Sequence, residues 1–165
     1  MQSAKDSFYI ALRDRLAALA PDRTVTIGGQ ERPAVVVAEN EPVTSSSPLP
    51  DAFYLHWEGA RTASASGARR PLLRLDCRIA YRTLGSSELN GLDRGRALAA
   101  LDLELCGILA PHFAEKKDYS QPEPQALGSA VLWSPPEFAA AEAHDRELRR
   151  VARVALFFWP EVELP

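Results

Sequence analysis

The fold is decided by the stretch RRPLLRLDCRIAYRTLGSSE, residues 69–88, in which apolar and charged side chains alternate for most of its length. Successive side chains of a β-strand point to opposite faces, so a period of two predicts a long strand with one buried face. The apolar side comprises Leu73, Leu75, Cys77, Ile79 and Tyr81. The other side carries Arg74, Asp76, Arg78 and Arg82. The buried side needs no further function, whereas the charged side is either solvated or a surface on which the protein works.

A partner strand precedes this stretch. The segment AFYLHWEG, residues 52–59, also alternates and predicts a strand. The connecting ARTASASGARRP, residues 60–71, is small and polar, and we interpret it as the tip of a projecting β-hairpin. The ends of that tip carry three arginines, Arg61, Arg69 and Arg70.

Two other segments have the spacing of three and four that is typical of amphipathic helices. The first covers residues 7–19 and opens the chain. The second begins in GLDRGRALAALDLELCGILAP, residues 91–111, where Asp93 is a candidate N-cap and Pro111 follows the end. Its apolar stripe comprises Leu98, Leu101, Leu105, Ile108 and Leu109. We expect this second helix to cover the sheet.

The remaining segments predict short strands and loops. Residues 24–27 and 34–38 are interpreted as two strands joined through Gly28 and Gly29 in a hairpin-like turn. The Pro- and Ser-rich residues 41–50 predict a loop. Toward the end of the chain we expect a loop at 112–125, a short strand at 129–133, a loop with one helical turn at 134–148, and the last strand of the sheet at 148–159.

These patterns together predict an α+β fold made of one domain, residues 1–165. We expect a mixed or mostly antiparallel sheet with a projecting β-hairpin, packed by the N-terminal helix and by the second, central helix. With 46% hydrophobic residues, the chain has enough apolar side chains for a substantial core.

Charge and hydropathy exclude several classes of partner. With 19 basic and 22 acidic residues the formal net charge is −3, which argues against nonspecific nucleic-acid binding because that needs a basic surface to neutralise phosphates. We also predict no specific nucleic-acid binding. The first residues contain neither a signal-peptide core nor about 20 consecutive apolar residues, so we expect synthesis in the cytoplasm and no direct membrane insertion. The two cysteines, Cys77 and Cys106, occupy apolar positions and are interpreted as small buried hydrophobic residues.

The sequence contains almost none of the motifs that are typical of catalytic sites. The sequence has no HExxH, CxxC or GxSxG motif and no phosphate-binding glycine loop, so we predict no enzyme, no cofactor and no metal site. Asp102 and Glu104 are two residues apart on a helix and do not face each other, so they are interpreted as a solvated face. An enzyme hypothesis has one group to offer, Tyr54, His56 and Asp76 on neighbouring strands.

The order of these elements resembles a known family. The matching residues are Tyr54 and Leu55 in a strand, the polar stretch 60–70, Pro71, Leu72, Leu73 and Leu75 in the next strand, Gly91 before the helix, Ile108, Leu109 and Pro111 at its end, and the late strand SAVLW, residues 129–133. In these features the chain resembles the tail terminator proteins of phages. It is more closely similar to the terminator, or cap, protein of contractile phage-tail-like injection systems.

The resemblance implies that helices pack on a sheet and that six copies close into a ring on the end of a tail tube. It also implies the tube and sheath proteins as partners, and no catalysis. On this interpretation the charged residues form a subunit or ring contact or line the lumen; a solvated face remains the alternative. The candidate assembly residues are Arg61, Arg69, Arg70, Arg74, Asp76, Arg78 and Arg82. The alternative function is a head-to-tail connector, which would bind a portal instead of a tube.

Overall fold

The alternating segment forms strand β5, Leu73–Thr83, near the middle of the sheet. The computed structural model describes residues 1–41, 48–63, 71–86 and 89–160. Every second side chain from Leu75 to Thr83 is buried, as the alternation predicts. In chain order the helices and strands are α1 Gln2–Leu19, β1 Thr24–Ile27, β2 Gln30–Pro33, β3 Val35–Val37, β4 Phe53–Thr62, β5, α2 Leu92–Leu109, β6 Phe113–Asp118, β7 Gln125–Trp133, β8 Glu137–Phe138, β9 Glu142–His144 and β10 Glu147–Phe158.

The main sheet has eight strands. Its path runs β3-β4-β5-β10-β7-β6, and β8 and β9 pair with β10 as well. β3 is parallel to β4, and the other pairs are antiparallel. One edge of β10 pairs with β5 over the whole length of that strand, while β9, β8 and β7 take successive parts of the other edge. The predicted α+β fold with a mixed sheet is therefore confirmed, and the last strand lies inside the sheet.

Both helices pack on the face of the sheet that carries the apolar side of β5. The predicted stripe of α2 is fully confirmed, since all five of its members are buried. From α1, the Phe8 ring meets the Trp133 ring edge-on at a centroid distance of 5.0 Å. The indole Nε1 of Trp133 donates a hydrogen bond of 2.8 Å to the Leu109 carbonyl, which satisfies its polar group inside the core.

The small hairpin differs from the prediction in its second strand. β1 pairs with β2, Gln30–Pro33, through a turn in which Gly28 and Gly29 have φ angles of 60° and 78°. Such a two-residue turn needs positive φ at both central positions, which glycine adopts without strain. Val35–Val37 instead forms β3, parallel to β4, and is buried throughout. An unbroken apolar run suits a strand that is covered on both faces.

The predicted loop at 112–125 contains a strand. β6 pairs antiparallel with β7, and β7 begins four residues before the predicted strand at 129–133. The sequence does not show β6 as a strand, because its buried position holds the charged residue Lys116. The Lys116 ammonium group donates a hydrogen bond of 2.8 Å to the Trp159 carbonyl, which makes its burial possible. Residues 134–148 form β8 and β9 in place of the expected helical turn, since the edge of β10 offers them backbone partners.

Both helix starts differ from the prediction. α1 begins at Gln2, five residues earlier than expected. α2 has Gly91 as its N-cap, at φ 83°, so the N-cap assignment of Asp93 is wrong. A short 3₁₀ turn, Leu89–Gly91, brings the chain into the helix and places Asp93 in the first turn. An acidic side chain is favourable there because it faces the positive end of the helix dipole.

The β4–β5 hairpin is confirmed, and its arms extend farther than predicted. Pairing continues to Thr62 and Leu73, and the Ala63 N–H donates to the Leu72 carbonyl at 2.7 Å. Arg61 therefore lies in β4, whereas the prediction placed it at the tip. Residues 64–70, with Arg69 and Arg70, lie outside the described residues, as do residues 42–47 of the predicted loop and 87–88.

Candidate assembly surface

The charged side of β5 belongs to a broad face of the sheet that points away from both helices. We call it the outer face. Residues directly opposite each other on neighbouring strands share a face. Arg78 lies opposite His56 of β4 and Arg153 of β10, so all three belong to the outer face. The predicted residues that the structure places on this face are Arg61, Arg74, Asp76, Arg78 and Arg82.

A bulge in β4 brings Arg61 to this face. The register shifts between Trp57 and Ala60, where Glu58 and Gly59 supply the extra residue. Trp57 points to the core side, opposite Cys77, and plain alternation would send Arg61 to the same side. The inserted residue reverses the alternation, so Arg61 lies opposite Arg74 on the outer face.

At one end of the outer face, two arginines share one carboxylate. Arg74 donates from Nε to Oδ1 of Asp76 at 2.7 Å, and Nη1 of Arg61 lies 3.1 Å from Oδ2. The Asp76 side chain is 22% exposed, while that of Arg61 is 59% exposed. Asp76 thus holds both guanidinium groups in place and leaves Arg61 reaching into solvent.

A second cluster at the other end has the same composition. Arg82 and Arg149 both donate to the carboxylate of Glu147, whose side chain is only 9% exposed. Burial opposes the charged form of Glu147, but the hydrogen bonds from Arg149 and Arg82 outweigh it, so its pKa lies below the ordinary value. Arg82 also donates to the Pro48 carbonyl at 2.8 Å, which ties β5 to the segment before β4.

Between the clusters lies a groove of about 350 Å³ over the outer face. Its floor includes Ala80 and Val151, which are cross-strand partners. Arg78 lines it and forms the longest of the ion pairs on this face, 3.9 Å from Glu58. Burial, and next the charge of Arg78, lower the pKa of the neighbouring His56, so this imidazole is neutral near pH 7.

One row across the outer face joins exposed apolar side chains to the arginines. Successive cross-strand partners run from β6 to β4 in a single line. We call this line the outer row: Phe113, Leu132, Phe157, Arg74 and Arg61. Phe113 and Leu132 are 53% and 42% exposed, and the Arg74 guanidinium lies 5.9 Å from the centre of the Phe157 ring. An apolar row on an open sheet face, bordered by cations, is typical of a surface that another protein covers.

The acidic residues of α2 do not form a solvated face, and that prediction is wrong. Asp102 accepts hydrogen bonds from the Tyr81 hydroxyl and from Arg150. Glu104 accepts two from Arg23, at 2.6 and 3.0 Å. Burial, and next the hydrogen bond to Asp102, raise the pKa of Tyr81. These bonds tie α2 to the sheet and to the segment before β1.

The three residues of the enzyme hypothesis share the outer face, but each has its own partner. The buried Tyr54 hydroxyl accepts the Leu49 N–H at 2.9 Å. His56 lies beside Arg78, and Asp76 is engaged by Arg61 and Arg74. The structure therefore gives these three residues no shared hydrogen-bond network in the described part of the chain.

The cysteines occupy unlike environments. Cys77 is buried in β5, and burial raises the pKa of its thiol. Cys106 is exposed on α2, so the prediction that it is buried is wrong. It follows the buried Leu105 by one residue, and a single helical step turns a side chain by about 100°, out of the buried stripe.

Within residues 1–41, 48–63, 71–86 and 89–160, no three His, Cys, Asp or Glu side chains gather in a way that would hold a metal ion. Over the same ranges, neither helix is long and apolar enough to cross a membrane.

Several members of the outer face were missed by the sequence prediction. Phe113 falls in a segment for which the sequence predicts a loop, and Leu132 and Phe157 lie in predicted strands without any feature that marks a contact surface. Arg149 lies in the last strand as predicted at 148–159, whereas Glu147 lies one residue before it, in the predicted loop. The position of this strand beside β5 is not visible in the sequence. The alternation in β10 is enough to predict which of its residues lie on the outer face. The pairing that creates the outer row cannot be predicted without the order of the strands in the sheet.

The comparisons with known proteins find structural similarity at low sequence identity and nothing further. No family model matches the chain, and no curated protein matches its sequence. Among solved structures, the chain is similar to one from the virion of a native gene transfer agent (GTA) particle, at 17% identity and a TM-score of 0.40, with 94% of this chain and 93% of that chain covered. A second solved structure, whose name carries no functional description, is 15% identical with a TM-score of 0.44, and 97% of each chain is covered. Neither likeness assigns a function to this chain.

Proposed function

We propose that the protein is a structural, non-catalytic subunit of a phage-tail-like particle and that it acts as the tail terminator. Copies of the chain, six in the proposed assembly, close into a ring on the end of the tail tube. The ring stops tube polymerisation and anchors the end of the sheath. Its partners are further copies of itself, the tube protein and the sheath protein.

The observation that carries this proposal is the outer row. Both helices cover one side of the sheet, and the other side leaves Phe113 and Leu132 exposed in one line with Phe157. Single exposed apolar residues are common on protein surfaces, whereas neighbouring ones on an open sheet favour a protein contact. The order of the elements, with the β4–β5 hairpin followed by α2, is also the order on which the resemblance to tail terminators rests.

The charges of the outer face suit a contact that fixes the position of one protein against another. Arg74 and Arg61 are already paired with Asp76, and Arg82 with Glu147. Burying a paired charge costs less free energy than burying a free one, because its counter-ion is buried with it. Mixed charges of this kind reject wrong partners and fix the docking position more than they add affinity. The part of Arg69 and Arg70 in the contact remains a prediction from the sequence.

A tube polymerisation assay tests the function. Tube protein from the same gene cluster is allowed to polymerise with and without the purified protein, and tube lengths are measured by electron microscopy. We expect shorter tubes with the wild-type protein. We expect Leu132→Arg, which places a charge in the outer row, to lose this effect. Leu89→Arg is the matched control, because Leu89 is likewise exposed, at 60%, and lies in the 3₁₀ turn before α2, outside the sheet.

Tubes of unchanged length with the wild-type protein would overturn the terminator function. Binding of the same protein to a portal ring in place of tubes would assign it to the head-to-tail connectors.

A further inference from the structure

We infer that the outer row of one copy packs against the solvent face of helix α2 on the next copy. This inference rests on the proposed ring, and it names the two surfaces that would join its subunits. Each of the two surfaces is then covered by another copy of this chain.

From Ala99 onward the exposed residues of α2 carry no charge, although Arg96, one turn earlier, is an exposed cation. We call four of these uncharged residues the α2 face: Ala99, Leu103, Cys106 and Gly107. All four are exposed and uncharged, and Leu103 is 74% exposed. A helix that is free in solution ordinarily presents charged and polar residues on this side.

A neighbouring apolar side chain of α1 widens the α2 face. Ala99, Leu103 and Gly107 follow each other at intervals of four and so lie along one line of the helix. The Leu19 side chain lies against Gly107, since a Cβ at Gly107 would be 2.9 Å from the Cδ2 of Leu19. Leu19 is itself 54% exposed, so it extends the apolar surface beside Leu103 on which the rings of Phe113 and Phe157 can pack.

The two surfaces match in extent. The apolar part of the outer row crosses three strands, a width of about 10 Å at the usual spacing between strands. The α2 face covers eight residue steps, about 12 Å of helix. Charges of both signs lie near the α2 face, exposed Arg96 one turn before Ala99 and exposed Asp22 after α1, while the outer row ends in Arg74 and Arg61, which are paired with Asp76.

Their placement decides how copies join. The outer row and the α2 face lie on opposite sides of the sheet, so one copy cannot bring its own two surfaces together. A symmetric dimer would bury one of them and leave the other bare. Joining unlike surfaces from copy to copy covers both, and such a head-to-tail contact produces a closed ring when its rotation closes.

Native Cys106 supplies a test. The full chain carrying Leu132→Cys, alone and after addition of tail tubes from the same gene cluster, is treated with a short bismaleimide, which links two thiols by adding one to each maleimide. Cys77 is buried and stays unreacted. We expect a ladder of dimers, trimers and larger species in which each link joins Cys106 of one copy to the cysteine at position 132 of another, as read by mass spectrometry of the peptides. Leu84→Cys is the control; we expect no ladder from it.

A Leu132→Cys protein that yields no more product than Leu84→Cys would overturn the inference, as would links that join only like cysteines. The unfolding midpoint in urea, compared with that of the wild type, establishes that both variants are folded. The failure of the inference is separate from that of the proposed function. If the wild-type protein still shortens tubes while the ladder is absent, the terminator function stands and the assigned contact is wrong.

Discussion

The hydroxyl of Tyr81, on the core side of β5, donates a hydrogen bond to the carboxylate of Asp102 on α2. Arg150 of β10 donates to the other oxygen of the same carboxylate. One acidic side chain therefore joins the helix to both central strands of the sheet. This fixes the rotation of α2 about its axis, so that Leu105 points into the core and Leu103 points away from it.

Removing Asp102 will destabilise the protein more than removing the hydroxyl that it binds. Tyr81→Phe removes one hydrogen bond and leaves Arg150 paired, so we expect a loss of about 1 kcal/mol in the free energy of unfolding. Asp102→Ala leaves both donors without their acceptor, and the Nε of Arg150 is already buried without a partner among the described residues. We expect a loss of about 3 kcal/mol for this variant. Urea unfolding measures both, and equal losses would contradict this role of Asp102.

Glu147 makes stability depend on pH. Its pKa is lower in the folded protein than the ordinary value of 4.5, so its ion pairs stabilise the fold above that value and are lost as the pH falls through the folded-state pKa. We expect Glu147→Gln to lower the free energy of unfolding by about 2 kcal/mol at pH 7. Below pH 4.5 the difference from wild type should shrink. Urea unfolding at several pH values tests this, with exposed Glu123→Gln as control; a difference that is constant with pH would contradict it.

Truncation of two leucines of α2 that are two positions apart should change the free energy of unfolding by very different amounts. Leu105 is fully buried, and we expect Leu105→Ala to lower the free energy of unfolding by about 2–5 kcal/mol. Leu103 is 74% exposed, so Leu103→Ala should change it by less than about 0.5 kcal/mol. Thermal or urea unfolding of the two variants, at a protein concentration at which the chain is a monomer of 18.1 kDa, measures both changes. A large loss for Leu103→Ala would mean that this side of α2 already has a partner within the folded chain.

The two thiols should differ in reactivity. Cys106 is exposed, whereas Cys77 is buried in β5 with a raised pKa, so in the native protein we expect only Cys106 to react with a thiol reagent. In denaturant both should react, and Cys106→Ser should abolish the native reaction. Assembly through the α2 face would slow the reaction of Cys106. Rapid native labelling of Cys77 would show that the sheet opens readily.

Periodicity predicted the elements that bury one face. The alternation of β5 and the stripe from Leu98 to Leu109 on α2 were both visible, because each buries one side and exposes the other. β6 was not predicted, since its buried position holds Lys116, whose charge is satisfied by the carbonyl of Trp159 far along the chain. Such a partner becomes known only with the topology.

Part of the candidate surface was also predictable. The charged side of β5 was identified from the sequence, yet the outer row was not, because its line of contacts passes through five strands from distant parts of the chain. The position of Arg61 depends on the bulge at Glu58 and Gly59, which reverses the alternation. The interpretation of Asp102 as a solvated residue is wrong, because charge alone does not distinguish a solvated carboxylate from one that Tyr81 binds.

The central claim is that copies of this chain close into a ring on a tube end. Mass photometry of the purified protein, alone and after addition of tail tubes from the same gene cluster, tests it most directly when the tube ends are then imaged. We expect either a species of about 109 kDa, six times the 18.1 kDa chain, or density confined to one end of each tube. A protein that stays at 18.1 kDa while the tube ends remain bare would contradict the account.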